Sequence, residues 1–434
     1  MTVEILIGDV RDRLRGMLAD SIDCVVTSPP YWGLRDYGVA GQIGLEPTLG
    51  EHLAVMVDVF EEVRRVLKPT GTLWLNYGDC YATSPNGRSA ADAKAAGTDD
   101  RTFRDKPFST IGGALKAKDL CMVPNRLAIA LQEAGWWVRS EIIWAKPNPM
   151  PESINDRPAT SHEKIFLLSK APRYHYDAAA VRQGLAEASV QRLAQDVAGQ
   201  TGSTRANGGA KTNGTMKAVG GRANADSFAR KHKATEGDHG QKPQHRPDRE
   251  EVTYLRGAGR NLRNYEPAPV EVWNLATAGF TEAHFATFPP ELVERCLLAG
   301  SPRHCCGTCG APYSAMTRST LVPTAKAAKR GVIDGRDAGA DRQDAGSNRQ
   351  KDGHIPGWSN SVETVGFEPT CSCPMSMASP RILDPFGGAG TTALVADRMG
   401  LDCTIIELNP AYAEIARNRI SSEQGMFSNV SIAA

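Results

Sequence analysis

The sequence predicts an α/β fold with a largely parallel sheet covered by helices on both faces. Short apolar segments alternate with segments whose apolar residues recur at helical spacing. Near the C-terminus a strand runs through a glycine-rich turn directly into a helix. With 434 residues the chain exceeds one ordinary domain, so we expect two compact units or one large α/β domain with insertions.

The N-terminal part begins with short apolar strands at Val3–Ile7 and Cys24–Thr27. Leu53–Leu67 has helical spacing and stops at Lys68-Pro69-Thr70-Gly71, before a strand at Thr72–Asn76. The same criteria predict a helix from Pro124 to Gly135, an extended segment Trp137–Trp144, a strand His162–Ser169, a helix Pro289–Ala299, a strand Arg381–Pro385, a helix Thr391–Met399, a strand Asp402–Glu407 and a helix Pro410–Ile420. Strands that alternate with helices favour a parallel sheet.

The alternation fails from Ala178 to Leu262, which is rich in Gly, Ala, Asn and Gln and poor in large apolar residues. Arg182 to Arg263 holds 15 Lys or Arg against 8 Asp or Glu, a balance of +7. The other 35 basic and 41 acidic residues give the rest of the chain −6. The polar stretches Ser84–Lys118 and Arg318–Asn360 are predicted to be long loops.

The formal net charge of +1 argues at first against a nucleic-acid partner, but the uneven distribution removes that objection. The N-terminus lacks the pattern of a signal peptide, and no apolar run approaches the length of a membrane span. We therefore expect a soluble cytoplasmic protein without a membrane partner. The oligomeric state is left open between a monomer and a homodimer.

The first chemical motif follows the strand Arg381–Pro385 and contains three glycines before the helix at Thr391. Such a turn lets the backbone approach a ligand closely and directs free N–H groups at its anionic part. Glu407 ends the next strand, 20 residues after Gly387, where a carboxylate can accept both hydroxyls of a ribose. The motif indicates a nucleoside-containing cofactor, and a turn built for packing alone is the alternative.

The second motif is Ser28-Pro29-Pro30-Tyr31-Trp32, at the carboxyl end of a predicted strand. Two prolines hold the preceding carbonyls rigidly and leave them free as acceptors. The Ser28 hydroxyl and the Pro29 carbonyl can accept hydrogen bonds from an amine, while Tyr31 can stack on a planar ring. A simple Pro-Pro turn with a packed tyrosine is the alternative.

Together the motifs resemble those of the N4-cytosine/N6-adenine DNA amino-methyltransferases, in the class whose catalytic motif precedes the cofactor-binding motif. The resemblance implies a permuted Rossmann-like methyltransferase fold that uses S-adenosylmethionine and acts on double-stranded DNA. It implies catalytic roles for Ser28, Pro29, Pro30, Tyr31 and Trp32. It implies cofactor contacts from Asp9, His284, Phe288, Asp384, Phe386, Gly388, Gly390, Thr391, Thr392, Glu407 and Asn409.

In this interpretation the polar residues that follow four neighbouring strands share one edge of the sheet, so one cleft can hold cofactor and base. The expected strand order is Arg381–Pro385, Asp402–Glu407, Val3–Ile7, Cys24–Thr27. The expected segments are 1–177 for the catalytic half, 178–265 for the basic insert, 266–300 for a segment closing over the cofactor, 301–379 for a Cys-rich insertion, 380–421 for the cofactor-binding half and 422–434 for a tail.

The implied reaction is direct methyl transfer to an exocyclic amine of a base flipped out of the duplex, with Tyr31 and Trp32 replacing its stacking. Within the family, serine in the first position goes more often with N4 of cytosine and aspartate with N6 of adenine, so cytosine is favoured and adenine stays open. A C5-cytosine enzyme would need a Pro-Cys pair, which the sequence lacks.

Other functions stay open as alternatives. RNA or protein amines could be the substrate, although relatives acting on these more often carry Asn at the position of Ser28. A non-catalytic zinc-containing DNA-binding protein would fail to bind the cofactor. A nicotinamide dehydrogenase would explain the glycine turn but leave the Ser-Pro-Pro-Tyr segment unexplained.

Five of the 10 cysteines gather in two groups, Cys305-Cys306-x2-Cys309 and Cys371-x-Cys373. Four thiolates in two close pairs suit a tetrahedral structural Zn²⁺ site, and the glycines after Cys306 and Cys309 permit the tight turn of a zinc knuckle. We assign Cys306, Cys309, Cys371 and Cys373 as ligands, with Cys305 as an alternative to Cys306 and unliganded thiols as the other possibility.

The basic insert 178–265 is the candidate for target recognition. Lys and Arg would contact phosphates, while Arg, Asn and Gln would contact base edges in a groove. A solvated linker without fixed structure would have the same composition, so both interpretations stay open.

Overall fold

A computed structural model describes residues 2–83, 108–149, 151–181, 271–277, 288–323, 358–374, 376–424 and 429–433. Most of the basic insert and His284 lie outside these residues. Within the described ranges, no helix is both long and apolar enough to cross a bilayer.

The structure alternates strands and helices as the sequence predicts. The strands are β1 Val3–Ile7, β2 Ile22–Thr27, β3 Leu67–Tyr77, β4 Trp137–Ala145, β5 His162–Ser169, β6 Val272–Asn274, β7 Cys305–Cys306, β8 Tyr313–Pro323, β9 Trp358–Pro369, β10 Met377–Ala378, β11 Arg381–Asp384, β12 Asp402–Glu407 and β13 Val430–Ala433. The helices are α1 Val10–Gly16, α2 Leu49–Val66, α3 Val123–Glu133, α4 Pro290–Gly300, α5 Thr391–Arg398 and α6 Pro410–Gln424. Each predicted strand and helix is present, with ends shifted by up to five residues.

Nine of these strands form one sheet in the order β13-β1-β12-β11-β2-β3-β5-β4-β6. All neighbours from β13 to β3 are parallel, whereas β5 is antiparallel to both β3 and β4. Because β5 is reversed, its first residues and the last residues of β3 and β4 lie at the same edge as the carboxyl ends of the parallel strands.

The strand order corrects one detail of the expected arrangement. β12 and β1 follow β11 as expected, but β2 pairs with β11 on its other side and not with β1. The topological switch point therefore lies between β11 and β2. The connection that leaves β11 leads to β12 on one side, and the connection that leaves β2 leads to β3 on the other. Ligands bind at such a switch point in open α/β sheets, and the ends of β1, β12, β11 and β2 still share one edge.

Helices cover both faces of the sheet and create two apolar layers. β2 is buried along its whole length, and its side chains alternate between the layers. Cys24 and Val26 belong to the layer formed with α4, α5 and α6, whereas Val25 belongs to the layer formed with α1, α2 and α3. A strand covered on both faces is a continuous apolar run, as the sequence of β2 is.

Three regions contain strands that the sequence did not predict. The tail 422–434 completes α6 and supplies β13, which pairs with β1. Segment 266–300 contributes the short strand β6 beside β4. The predicted loop Arg318–Asn360 begins and ends in strand, because β8 and β9 form a two-stranded sheet.

The chain divides into two compact units. The first comprises Met1–Val181, Pro269–Ala315 and Phe367–Ala434, and contains the nine-stranded sheet. The second comprises Arg182–Ala268 and Met316–Gly366, of which the structure describes only parts of β8 and β9.

Close packing of α4 on the sheet leads to a stability prediction. A Cβ atom added at Gly300, the last residue of α4, would lie 2.2 Å from Trp74 Nε1 and 2.4 Å from Thr72 Oγ1. We expect Gly300→Ala to lower the free energy of unfolding by about 1–3 kcal/mol, because the buried contact is already full. Denaturant titration measures this change.

Gly16→Ala is the matched control, since Gly16 also ends a helix and has no heavy atom within 4 Å of the added Cβ. We expect a change within about 0.5 kcal/mol there. Equal effects of the two substitutions would show that α4 does not pack on β3 as described.

Candidate active site

Asp384 is the polar centre of the glycine-rich turn and is 1% exposed. Its Oδ1 accepts hydrogen bonds from Thr27 Oγ1 at 2.6 Å and from the Phe386 N–H at 3.1 Å, and its Oδ2 accepts from Thr392 Oγ1 at 2.7 Å. Burial raises the pKa of Asp384 to about 6, against the opposing effect of these hydrogen bonds. One carboxylate thus ties the end of β11 to the end of β2 and to the first turn of α5.

The glycines of the turn serve two different purposes. An added Cβ would lie 2.8 Å from Ile405 Cβ at Gly387 and 2.9 Å from Ala416 Cβ at Gly390, so packing requires both. At Gly388, where φ is +51°, the closest atom is the Phe386 carbonyl oxygen at 4.0 Å. Gly388 therefore leaves an open cradle beside its backbone.

Glu407 lies at the end of β12 and faces this cradle. Its Oε2 accepts from the Gly388 N–H and its Oε1 from the Asn409 N–H, both at 2.8 Å. Burial raises the pKa of the Glu407 carboxyl group, although these N–H donors oppose the change. Each carboxylate oxygen keeps a further lone pair, so the group can still accept from the hydroxyls of a ligand.

Two tyrosines outside the predicted set lie close to this carboxylate. Burial and, more weakly, the charge of Glu407 raise the pKa of Tyr37 and of Tyr412. Tyr37 belongs to the loop that follows the Ser28–Trp32 motif, and Tyr412 belongs to the first turn of α6. The loop after the Ser28–Trp32 motif and the first turn of α6 therefore both lie near the Glu407 carboxylate.

Asp9 and Asn409 occupy helix N-termini at the same edge of the sheet. Asp9 caps α1 by accepting from the Arg11 N–H at 2.8 Å, and its Oδ2 pairs with the Arg11 guanidinium at 2.7 Å. The Arg11 side chain lowers the pKa of Asp9. Asn409 Oδ1 accepts from the Ala411 N–H at 2.9 Å.

The remaining residues predicted to contact a cofactor have different surroundings. Thr391 Oγ1 accepts from Arg419 Nη1 at 2.9 Å, and Thr392 is fully buried against Asp384. Phe386 and Phe288 are half-buried, and Phe288 packs against the apolar layer of α4, α5 and α6. His284 lies outside the described residues.

Ser28 and Tyr31 follow β2 and belong to a compact cluster of polar side chains. Tyr31 Oη donates to Glu163 Oε2 at 2.8 Å. Asn76 Nδ2 lies 3.3 Å from Ser28 Oγ, 3.1 Å from Tyr31 Oη and 3.0 Å from Glu163 Oε2. Lys146 Nζ forms an ion pair with Glu163 Oε1. The cluster joins β2, β3 and β5 with the residue that follows β4.

The Tyr31 ring is held in place by Tyr77 and Gly78, at the end of β3. It stacks on Tyr77 with ring centroids 4.7 Å apart, and a Cβ added at Gly78 would lie 2.6 Å from Tyr31 Cε2. Tyr77 Oη donates to the Pro30 carbonyl at 3.3 Å and is bonded to His52 Nε2 at 2.7 Å. The second proline and the tyrosine are therefore fixed by the end of β3.

The structure corrects the role expected of Trp32, which was to stack on the flipped base. Trp32 is 2% exposed, donates from Nε1 to the Glu46 carbonyl at 2.9 Å and packs edge-on against Phe108. An indole ring that is enclosed in this way cannot stack on a base. Trp32 is part of the core below the site, because the chain turns inward directly after Tyr31.

The structure adds Asn76, Glu163 and Lys146 to the site, which sequence reasoning missed. Asn76 is a polar residue at the end of the apolar strand β3, and this position was a usable signal. Glu163 is the second residue of β5. Only the antiparallel pairing of β5 with β3 brings it to the edge of the sheet where the parallel strands have their carboxyl ends. No local pattern predicts that pairing.

The four cysteines assigned as ligands come together as predicted. The Sγ atoms of Cys306, Cys309, Cys371 and Cys373 all lie within 4.8 Å of one another. The backbone N–H groups of Cys309 and Thr308 donate to the Cys306 sulfur and lower the pKa of that thiol to about 6. This is a donor set that a tetrahedral metal ion fits.

Cys305 lies outside this group and anchors it to the sheet. Its Sγ is 3.3 Å from Asp23 Oδ1, which settles the choice between Cys305 and Cys306 in favour of Cys306. Asp23 also pairs with Lys68 Nζ at 2.7 Å, and Lys68 Nζ donates to the Gly310 carbonyl at 3.2 Å. The Cys-rich segment is thus fastened to β2 and β3 through a buried ion pair.

Comparison with known proteins identifies the family. The family model described as DNA methylase, of the N6/N4 methyltransferase class, matches residues 22–305. The chain belongs to this family. The matched region contains the Ser28–Tyr31 segment, Asn76, Lys146, Glu163 and the start of the Cys-rich segment.

Curated relatives extend the similarity over nearly the whole chain. The type II methyltransferase M.SmaI of Serratia marcescens is 30% identical over 96% of this chain and 90% of its own length. The type II methyltransferase M.Cfr9I of Citrobacter freundii is 32% identical over 96% of this chain and 87% of its own. Among solved structures, the cytosine-N4-specific PvuII DNA methyltransferase aligns with a TM-score of 0.46 at 13% identity, over 96% of this chain and 86% of that one.

Proposed function

We propose that this DNA methyltransferase transfers a methyl group from S-adenosylmethionine to an exocyclic amine in double-stranded DNA, with N4 of cytosine as the favoured target. The observation that carries the proposal is the Asp384 carboxylate. It ties the glycine cradle and the Ser28–Tyr31 turn to each other through Thr27 and Thr392. A cofactor site and an amine-binding site therefore share one edge of the sheet.

The cradle at Gly388 fits the cofactor. A Cβ there would meet open space, and Glu407 lies beside it with lone pairs available for ribose hydroxyls. Asp9 follows the neighbouring strand β1 and would accept from an adenine amine through the lone pairs that Arg11 leaves free. When bound, S-adenosylmethionine supplies a methyl group on a positively charged sulfur.

The Ser28–Tyr31 turn supports the second half of the reaction. An exocyclic amine is a poor nucleophile because its lone pair is delocalised into the ring. Acceptors at Ser28 Oγ and the Pro29 carbonyl would favour the pyramidal nitrogen whose lone pair points at the methyl group. A base inside a duplex cannot reach this turn, so the target base must be flipped out, with Tyr31 alone against its face.

Cytosine is favoured over adenine on the identity of one residue. Ser28 occupies the first position of the tetrapeptide, where serine goes more often with N4 of cytosine. Both bases present a similar amine to the same acceptors, so N6 of adenine is the second candidate.

Recognition of a DNA sequence is proposed for the basic insert 178–265. Its balance of +7 between Arg182 and Arg263 would favour contacts with phosphates. Cleavage of the insert or its deletion would then weaken DNA binding more strongly at low salt than at high salt.

The function is tested by incubating the protein with DNA and methyl-labelled S-adenosylmethionine, then separating the nucleosides. We expect label in N4-methylcytosine. We expect Ser28→Ala to slow transfer by about 10²-fold, because one acceptor for the amine is lost, with little change in cofactor affinity.

Ser21→Ala is the control, since Ser21 immediately precedes the opposite end of β2 and its hydroxyl donates to the nearby Leu18 carbonyl at 2.7 Å. Label in N6-methyladenine would replace cytosine by adenine as the target. Label in neither base, or a Ser28→Ala rate equal to that of the control, would contradict the proposed reaction.

We also propose that Cys306, Cys309, Cys371 and Cys373 hold one structural Zn²⁺ ion. Four thiolates would fill the tetrahedral positions and leave none for water, so the ion would stabilise the fold and take no part in methyl transfer. The sulfurs are already gathered within 4.8 Å, close to the separation that a tetrahedral Zn–S₄ centre needs.

Metal analysis of protein purified without chelator should find one zinc per chain. We expect Cys306→Ser to abolish zinc binding and to lower the melting temperature. Cys305→Ser should retain the zinc, because the Cys305 sulfur bonds Asp23 and not the cluster. Zinc-free wild-type protein, or equal zinc loss in both variants, would refute the site.

A further inference from the structure

The polar cluster around Tyr31 has a defined hydrogen-bond direction. Glu163 Oε1 is paired with Lys146, whose ammonium group also lies 4.5 Å from the centroid of the Trp144 ring. Glu163 Oε2 faces two donors, Tyr31 Oη at 2.8 Å and Asn76 Nδ2 at 3.0 Å. An ionised carboxylate only accepts hydrogen bonds, so the single phenolic proton of Tyr31 points to Glu163.

This direction passes on to Ser28. Because the Tyr31 proton is used by Glu163, Tyr31 Oη presents lone pairs to its other neighbours. Ser28 Oγ lies 3.3 Å away and donates its proton to Tyr31 Oη. The Tyr31 phenol stays protonated, since burial and then the charge of Glu163 raise its pKa well above the usual range.

The lone pairs of Ser28 Oγ are therefore left as the acceptors of the turn. Asn76 Nδ2 lies 3.3 Å from Ser28 Oγ and donates to one of these lone pairs. The other lone pair remains for an incoming N–H group. If the proton of Ser28 pointed outward instead, the turn would present a donor to an amine, which is also a donor. The orientation of a distant carboxylate thus decides what Ser28 offers.

Resting on the proposed methyl transfer, we propose that Glu163 is a positioning residue that keeps Ser28 Oγ an acceptor for the target amine and takes up the proton which the amine loses. The groups that connect them are the hydroxyls of Tyr31 and Ser28. Neither motif of the sequence analysis includes Glu163, which lies 132 residues from Tyr31 in the chain.

The proton balance of this route is complete. The amine nitrogen gains a methyl group as the sulfur–carbon bond breaks and its electron pair returns to sulfur, so the nitrogen becomes positively charged. It then gives one proton to Ser28 Oγ, Ser28 gives its own proton to Tyr31 Oη, and Tyr31 gives its own to Glu163 Oε2. Lys146 remains an ammonium group, and Glu163 ends as a neutral carboxyl group.

A methylated exocyclic ammonium group is strongly acidic, because losing the proton restores conjugation with the ring. Because the methylated ammonium group is so acidic, an ionised carboxylate can receive the proton. The enclosed hydroxyls provide a path from the amine to the carboxylate.

The experiment is a double-mutant cycle on the single-turnover rate of methyl transfer, with cofactor and DNA saturating. Glu163→Gln keeps the shape but offers an amide group that can donate to Tyr31 and reverse the chain. Tyr31→Phe keeps the ring and cuts the chain. We expect each single variant to lose about 10²-fold in rate, and the double variant to lose no more than either one.

Dissociation constants for S-adenosylmethionine and for DNA should stay within about twofold of wild type in all three variants. Glu163→Asp keeps the charge and should recover part of the rate. The matched control is Glu141→Gln, which breaks a second Glu–Lys pair between β4 and β5: Glu141 pairs with Lys164 at 2.7 Å. Lys164 is adjacent to Glu163 in β5 and so faces the other side of the sheet.

A wild-type rate in Glu163→Gln would overturn the inference, as would multiplying losses in the double variant. If Glu163→Gln fails to fold, as judged by its melting temperature, the comparison of Tyr31→Phe with Glu163→Asp decides: the inference requires both to lose rate and their losses not to multiply. Absence of transfer by the wild-type protein would instead contradict the proposed function itself.

Discussion

The buried carboxylate of Asp384 is the constraint on which the site depends. A charged group with 1% exposure is costly unless its oxygens are bonded. Thr27, Thr392 and the Phe386 N–H satisfy both oxygens, and these three donors come from β2, α5 and the glycine-rich turn. Residues 357 positions apart are thereby joined. The permuted order of the motifs is tolerated because the two halves meet at this point.

The two sides of the site use hydrogen bonding differently. On the side proposed for the cofactor, Glu407 binds the backbone of the turn and keeps lone pairs free beside the open space at Gly388. On the side proposed for the amine, side chains form a hydrogen-bonded chain in which the Tyr31 hydroxyl donates to Glu163. Both arrangements set lone pairs before any ligand binds, so little reorganisation would be needed during the reaction.

Local motifs predicted the secondary structure and the glycine turn well, because strand ends and turn residues depend on neighbours in the sequence. The position of β2 beside β11, the strand β13 and the enclosure of Trp32 were missed, because they depend on pairing between distant segments. Glu163 was missed for the same reason. The grouping of Cys306 with Cys371 was predicted, since thiols at such spacing have few other uses in a protein of this kind.

The most direct test of the account is the single-turnover rate of methyl transfer in Thr27→Val. Valine has nearly the shape of threonine but cannot donate to Asp384, so the end of β2 would lose its fixed relation to the glycine turn. We predict a loss of about 10-fold or more, as expected when a hydrogen bond to a buried charge is removed. A rate within twofold of wild type would contradict the claim that this hydrogen bond aligns the two halves of the site.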